Sequence, residues 1–359
     1  MFTNDSIELR NYFFPRITLK NSKEIQNLYN FLLDKQKSQY EISSKSYFKE
    51  NIKKTEINIT SGADNILKKT YMFATRSVNF IINHSNVSIN LYSDGKNNDD
   101  ILLENLINIF RFVYSLSHVN QKYIVIDIYL VNQKKKISSN MKILGPNEIN
   151  SGLCNRGGKT TIVTLYREEE LLKVFIHELI HCFEYENYHD TENIIKHYKN
   201  KYNISSDQVN TMEAYTEIWA NLINCFLISQ KVRRYKYNLF LILIALEKEF
   251  AKFQAEKVIF LTGLNDKKEI DINQKTNVLS YFIIRYELYE RLNTFLKFCN
   301  TINDNYITIK DQMKWLNFLK KNKKIIKNNR RFNQLDKKSF IFKTLRMSLN
   351  EKYIYADTN

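Results

Sequence analysis

Val174-Phe175-Ile176-His177-Glu178-Leu179-Ile180-His181-Cys182-Phe183 is the stretch on which the reading of this chain turns. No Gly or Pro interrupts the run from Glu168 to Tyr185. Apolar residues at Leu171, Leu172, Val174, Phe175, Ile176, Leu179, Ile180, Cys182 and Phe183 predict a helix buried on most of its circumference. Residues four apart lie on one face of a helix, so His177 and His181 can reach one metal ion from successive turns. Glu178 stands beside them, placed to polarise a metal-bound water. A buried helix gains nothing from two imidazoles and a carboxylate on one side unless they are paired or bind a cation. The chain holds only six histidines in 359 residues, which makes a chance match at this spacing rare. The plainer alternatives are a core helix whose histidines satisfy backbone carbonyls, or a degenerate site that has lost its metal.

The third ligand discriminates among arrangements. Catalytic zinc takes three protein ligands and keeps a fourth position for water. One arrangement places a third His six residues after the second, with Gly midway. Those positions are Asn187 and Glu184 here, which excludes it. His189 and His197 lie in the polar stretch 187–201 and are expected to face solvent. The remaining source is a carboxylate on a later helix. Thr211-Met212-Glu213-Ala214-Tyr215-Thr216-Glu217-Ile218-Trp219-Ala220-Asn221 carries Glu213 and Glu217 four apart on an otherwise apolar helix. Two stacked carboxylates repel unless a cation or a histidine faces them. Glu213 is therefore expected to bind the metal and Glu217 to accept the second ring N–H of a ligand histidine, fixing its tautomer. From the residues alone, the reverse assignment and a pair of solvated carboxylates both stay open.

His177-Glu178-x-x-His181 followed by Glu213-Ala214-Tyr215-Thr216-Glu217 resembles the gluzincin metallopeptidases, the group with thermolysin-like, lethal-factor-like and clostridial-neurotoxin-like members. The 32 residues from His181 to Glu213 are nearer the neurotoxin-like spacing. Arg167-Glu168-Glu169-Glu170 through Lys173-Val174-Phe175-Ile176, together with Asn150-Ser151-Gly152, is also similar to uncharacterised metallopeptidase-like proteins of large DNA viruses. The resemblance covers residues 85–230. It implies an α+β, zincin-like fold with a small sheet beside the active-site helix. It also implies one catalytic Zn2+ ion, a protein or peptide substrate, Glu178 as general base, and action in host cytoplasm or virion.

The pattern along the chain suits that order. Residues 87–92 alternate like a strand, 99–117 have helical spacing, and 123–131 are rich in β-branched residues. A Gly-containing loop is expected over 132–158 and a short strand over 160–166. By the resemblance, that last strand forms the sheet edge above the metal, where an extended peptide can pair by its backbone. Helices are predicted over 22–35, 63–83, 208–230, 235–257, 274–300 and 309–321, which makes the C-terminal half largely helical. The expected divisions are 1–84 without an assigned role, 85–230 as the metallopeptidase-like core, 231–325 as a helical subdomain, and 326–359 as a basic tail or helix.

Composition narrows the class. A hydrophobic content of 43% and an aromatic content of 13% indicate a globular chain. The net charge of +16 accompanies abundant Lys, Asn and Ile, a pattern of AT-rich coding, so it is discounted as evidence for nucleic acid. The basic block 320–331 reads first as a solvated helix end, with an anionic partner such as nucleic acid as the alternative. Residues 1–10 include Asp5 and Glu8 and lack the apolar run of a signal peptide. The longest apolar run, 239–246, is too short to span a bilayer. Four widely spaced cysteines fit a reducing, cytoplasmic setting, and Cys154 is conceivable as a thiolate latency switch. The competing functions are a non-catalytic virion or scaffold protein of zincin fold, and a protease tethered to nucleic acid by the basic block.

Overall fold

A computed structural model describes residues 2–50, 74–95, 98–119, 122–137, 143–186, 188–204, 206, 209–262, 274–325 and 329–355. Within it the chain is mixed α and β, with one six-stranded sheet. The strands are β1 (Ile42–Glu50), β2 (Ala74–Ile82), β3 (Ser85–Ser93), β4 (Tyr123–Tyr129), β5 (Gly152–Asn155) and β6 (Thr160–Leu165), lying in the order β1-β2-β3-β4-β6-β5. β1, β2 and β3 pair antiparallel, β3, β4 and β6 run parallel, and β5 returns antiparallel on β6. β3 alternates strictly, with Val87, Ile89 and Leu91 buried. This is the period-two signature of a strand whose one face meets a core. Helix α1 spans Asn4–Phe13, α2 Lys23–Lys37 and α3 Asp99–Tyr114. α3 forms the crossover between the parallel strands β3 and β4 and packs on β2 and β3.

Two expectations about the sheet are corrected. Residues 63–73 of the helix expected over 63–83 lie outside the described residues, and the remainder is β2. Val78, Phe80 and Ile82 are buried there in alternation. Asn83 and His84 take φ of 43° and 64°, closing a two-residue hairpin onto β3. Thr160–Leu165 is not the sheet edge. The region expected as a loop supplies a one-turn helix α4 (Pro146–Ile149) and then β5, which takes the edge.

After the sheet the chain is helical: α5 (Leu171–Cys182), α6 (Glu192–Tyr202), α7 (Thr211–Gln230) and α8 (Lys236–Thr262). The helix expected over 274–300 is broken into a π-helical stretch (Leu279–Ile284), α9 (Arg285–Glu290) and α10 (Leu292–Ile302), followed by α11 (Gln312–Lys320). α5 packs on α3, α7 and β5. One hydrophobic cluster gathers residues from Ile25 to Ile354. No helix among the described residues is long and apolar enough to cross a membrane.

The segment expected as a basic tail or helix contains two short helices, Asn329–Gln334 and Phe340–Lys343. Residues 326–328 of the basic block lie outside the described residues, but residues 344–350 are buried as an irregular strap across the core. Its backbone polar groups must find partners there, and buried charges supply them. Glu247 of α8 accepts the N–H of Leu349 at 3.1 Å and of Asn350 at 3.0 Å. Glu170, just before α5, accepts the N–H of Met347 at 3.0 Å and pairs with Lys135 at 2.8 Å. Arg346 pairs with Glu351 at 3.0 Å. Burial alone would raise the Glu170 carboxyl, but Lys135, Lys173 and Arg346 outweigh it and hold it at about 2.

The sign follows from linkage. A carboxyl depressed in the folded state stabilises above its unfolded value of about 4.3 and loses that contribution as pH falls through its folded value. Urea midpoints between pH 5 and pH 2 should therefore fall for the wild type, with Glu170 contributing about 3 kcal/mol of the loss. Glu170→Gln should be less stable near pH 7 and show a shallower acid limb. An acid limb of unchanged steepness would contradict the assignment.

Candidate metal centre

α5 begins and ends on residues in the left-handed region, Glu170 at φ 61° and Glu184 at φ 60°. At its C-terminus, Tyr185 N–H bonds Ile180 C=O at 3.2 Å and Lys122 Nζ caps Cys182 C=O at 2.8 Å. This Schellman-type closure reverses the chain. Glu186, five residues past His181, is thereby swung back onto that histidine. The start of α7 is pinned from the same return: Asp190 accepts the N–H of Thr211 at 2.8 Å, and Tyr188 Oη bonds Thr211 Oγ1 at 3.1 Å. Trp315 Nε1 holds Tyr188 Oη from behind at 2.8 Å. These contacts set the height at which Glu213 and Glu217 face α5.

His177, His181 and Glu213 come together as a group that could hold a metal ion. His177 Nε2 lies 3.1 Å from His181 Nε2, and both lie 3.2 Å from Glu213 Oε2. The other ring nitrogens are already engaged. His177 Nδ1 is 3.0 Å from Glu217 Oε2, and His181 Nδ1 is 2.6 Å from Glu186 Oε1. A carboxylate can only accept, so each Nδ1 carries a proton, and each ring in its neutral form turns its Nε2 lone pair inward. Two lone pairs and a carboxylate oxygen meeting at this distance repel unless a cation lies among them. A tetrahedral zinc ion with bonds of about 2.0–2.1 Å sets its ligand atoms about 3.3 Å apart, which is the spacing found.

The outer charges reinforce this geometry. Glu217 is buried and also meets Lys173 Nζ at 2.6 Å, Arg285 at 3.2 Å and Asn221 Nδ2 at 3.0 Å. Burial pushes the Glu217 carboxyl up, but Lys173, His177 and Arg285 hold it far below the usual carboxylate range. Glu213 is held equally low by the two imidazoles against the same burial. Burial lowers the imidazoles, while Glu213 and Glu217 on His177, and Glu186 and Glu213 on His181, raise both on balance.

Glu178 lies between His177 and the strand β5, lining one small pocket with His177, Glu217, Tyr281 and Gly152. It makes no hydrogen bond to the described residues, and burial raises its carboxyl. Gly152 of β5 lies against it: a Cβ there would stand 2.8 Å from Glu178 Oε1 and 2.7 Å from Leu165 Cδ2. Cys154, on the same strand, directs its thiol to that of Cys182. That hydrogen bond first, and burial second, push the Cys154 thiol well above its ordinary value. It is therefore held as a thiol, not as the thiolate that a latency switch requires.

His189 is exposed, and His197 lies on α6 with its Nε2 unpartnered among the described residues; neither joins the group. Four residues at the site were not anticipated: Glu186, Lys173, Arg285 and Tyr281. Tyr281 sits on the π-helical stretch, its ring centroid 6.0 Å from that of His177. Lys173, four residues before His177, was the one readable from spacing. No family model matches the chain, and no match was found among the curated proteins or the solved structures.

Gly152→Ala should overpack this corner and cost about 1–3 kcal/mol of stability in urea unfolding. A variant as stable as wild type would show that Glu178 does not rest against the strand.

Proposed function

We propose that this protein is a zinc-dependent peptidase, with His177, His181 and Glu213 as metal ligands and Glu178 as general base. The observation that carries the reading is the triangle of Nε2, Nε2 and Oε2 atoms at 3.1–3.2 Å, each imidazole locked in the metal-ready tautomer by its own carboxylate. Bound zinc supplies Lewis acidity, lowering the pKa of a water to about 7 and polarising a substrate carbonyl.

The chain's residues account for the remainder. Glu178 is buried, free of hydrogen bonds among the described residues and raised in pKa, which suits a group that takes a proton from the attacking water and returns it to the leaving amine. A purely structural metal site has no use for such a residue. Glu217 and Glu186 orient the two histidines, and Lys173 with Arg285 keeps Glu217 ionised. Tyr281, on a π-helical stretch beside His177, would donate to the developing oxyanion. Its hydroxyl stays protonated because burial, then the charge of Glu213, raises it well above its ordinary value. β5, the terminal strand of the sheet beside Glu178, offers an edge unpaired among the described residues to an extended peptide.

Zinc content and peptide hydrolysis measured on one set of variants test the reading. Glu178→Gln should retain one zinc per chain and lose turnover by at least about a thousandfold. Glu213→Ala should lose zinc, and Glu186→Gln should weaken its binding by about 10–100-fold. Tyr281→Phe should keep zinc and lower kcat by about 100-fold. A Glu178→Gln enzyme with full activity, or a Glu213→Ala protein with full zinc, would overturn the proposal.

A further inference from the structure

Beside the first turn of α5, a cavity of about 470 Å³ opens between the ends of α2 and α7, the face of α3 and the C-terminal strap. Its size is that of a site for a small organic molecule. Its charge is one-sided. Lys231, Arg233, Lys236 and Lys352 line it, and among the described residues none of them has a carboxylate partner. The two carboxylates on its wall are already committed. Glu170 is tied to Lys135 and to the strap, and Glu351 to Arg346 and to the Glu170 N–H. Burial pushes the ammonium groups of Lys231 and Lys352 down, and the nearness of Lys231 lowers Lys352 further.

Exposed Lys231 and half-buried Lys352 are close enough for Lys231 to act on Lys352, and an anion between them would relieve that repulsion. The carboxamides of Gln36, Gln39 and Asn108 also line the cavity, without hydrogen-bond partners among the described residues. They add neutral donors and acceptors for a polar ring or sugar. The floor is apolar, formed by Ile109, Phe112, Leu172 and Leu227. The neighbouring charges of Lys231 and Lys352 suit phosphate groups, and the apolar floor suits a ring.

We propose that this cavity binds a small phosphorylated ring compound of nucleotide type, its phosphates on Lys231 and Lys352 and its ring over Ile109 and Phe112. The site is separate from the candidate metal centre and does not depend on the function proposed for that centre. Leu172 and Lys173 belong to both neighbourhoods, so an occupant touches the helix that carries His177 and His181.

Isothermal titration of the full chain, freed of divalent ions so that chelation adds no heat, tests this with adenosine triphosphate and with tripolyphosphate as probes. The proposal expects saturable one-to-one binding of adenosine triphosphate, tighter than that of tripolyphosphate. Lys231→Gln/Lys352→Gln should weaken it at least tenfold with an unchanged melting temperature, and Glu213→Ala should leave it intact. Absence of saturable binding, equal affinity in the double lysine variant, or loss in Glu213→Ala would each overturn it. Equal affinity for tripolyphosphate would overturn the ring-binding floor. Should the double variant melt early, Ile109→Trp, which fills the floor, serves instead, and undiminished affinity there would count against the site.

Discussion

Three lone-pair donors held within 3.2 Å of one another, away from bulk water, are the constraint that organises this molecule. With both rings neutral they repel, and burial denies them the solvent that would screen them. The surrounding structure holds them nonetheless. Glu217 and Glu186 fix the rings from outside, and Lys173 and Arg285 anchor Glu217 in turn. Arg285 also donates to the Met347 carbonyl, so the candidate site, α9 and the C-terminal strap share one ionic network. Removing a single partner from such a buried network leaves an uncompensated charge, which costs far more than the pair contributes. The strap and the metal-ready triad are therefore mechanically linked, although residues 344–350 lie far from His177 in sequence.

Much of the triad could be read in advance because helix geometry is local. Spacing of four put His177 above His181, and Glu213 above Glu217, on faces that had nowhere else to go in apolar helices. The partner of His181 could not be read in the same way. Glu186 reaches Nδ1 only because the helix closes through Glu184 in the left-handed region, and Glu carries no sequence signal for that conformation, as Gly does. Tyr281 was equally hidden. A π-helical stretch shifts every later side chain off the 3.6-residue phase, so periodicity could not say which of the tyrosines turns toward His177.

The fold divides along the same line. β3, β4 and α3 were legible because one face of each is apolar and regular. β2 was missed because its polar face and small residues dilute the alternation of Val78, Phe80 and Ile82, while its hairpin turn uses Asn83-His84 instead of Asn-Gly. β5 is four residues long inside a Gly-containing segment, so it read as loop; its short length and Gly152 are what let the sheet edge approach Glu178. The strap defeated pattern reading altogether. It has no period, and it is buried because Glu170, Glu247, Arg285 and Gln254 satisfy its backbone, a condition that exists only after folding.

The central claim is that one divalent ion sits where these three donors meet. Anomalous diffraction at the zinc edge, from crystals of the purified full chain supplied with zinc, addresses it directly. The account predicts a single peak about 2.0–2.2 Å from His177 Nε2, His181 Nε2 and a Glu213 oxygen, with an open side facing Glu178. A zinc-loaded crystal with no peak there, or with the side chains at 177, 181 and 213 turned apart, would contradict it.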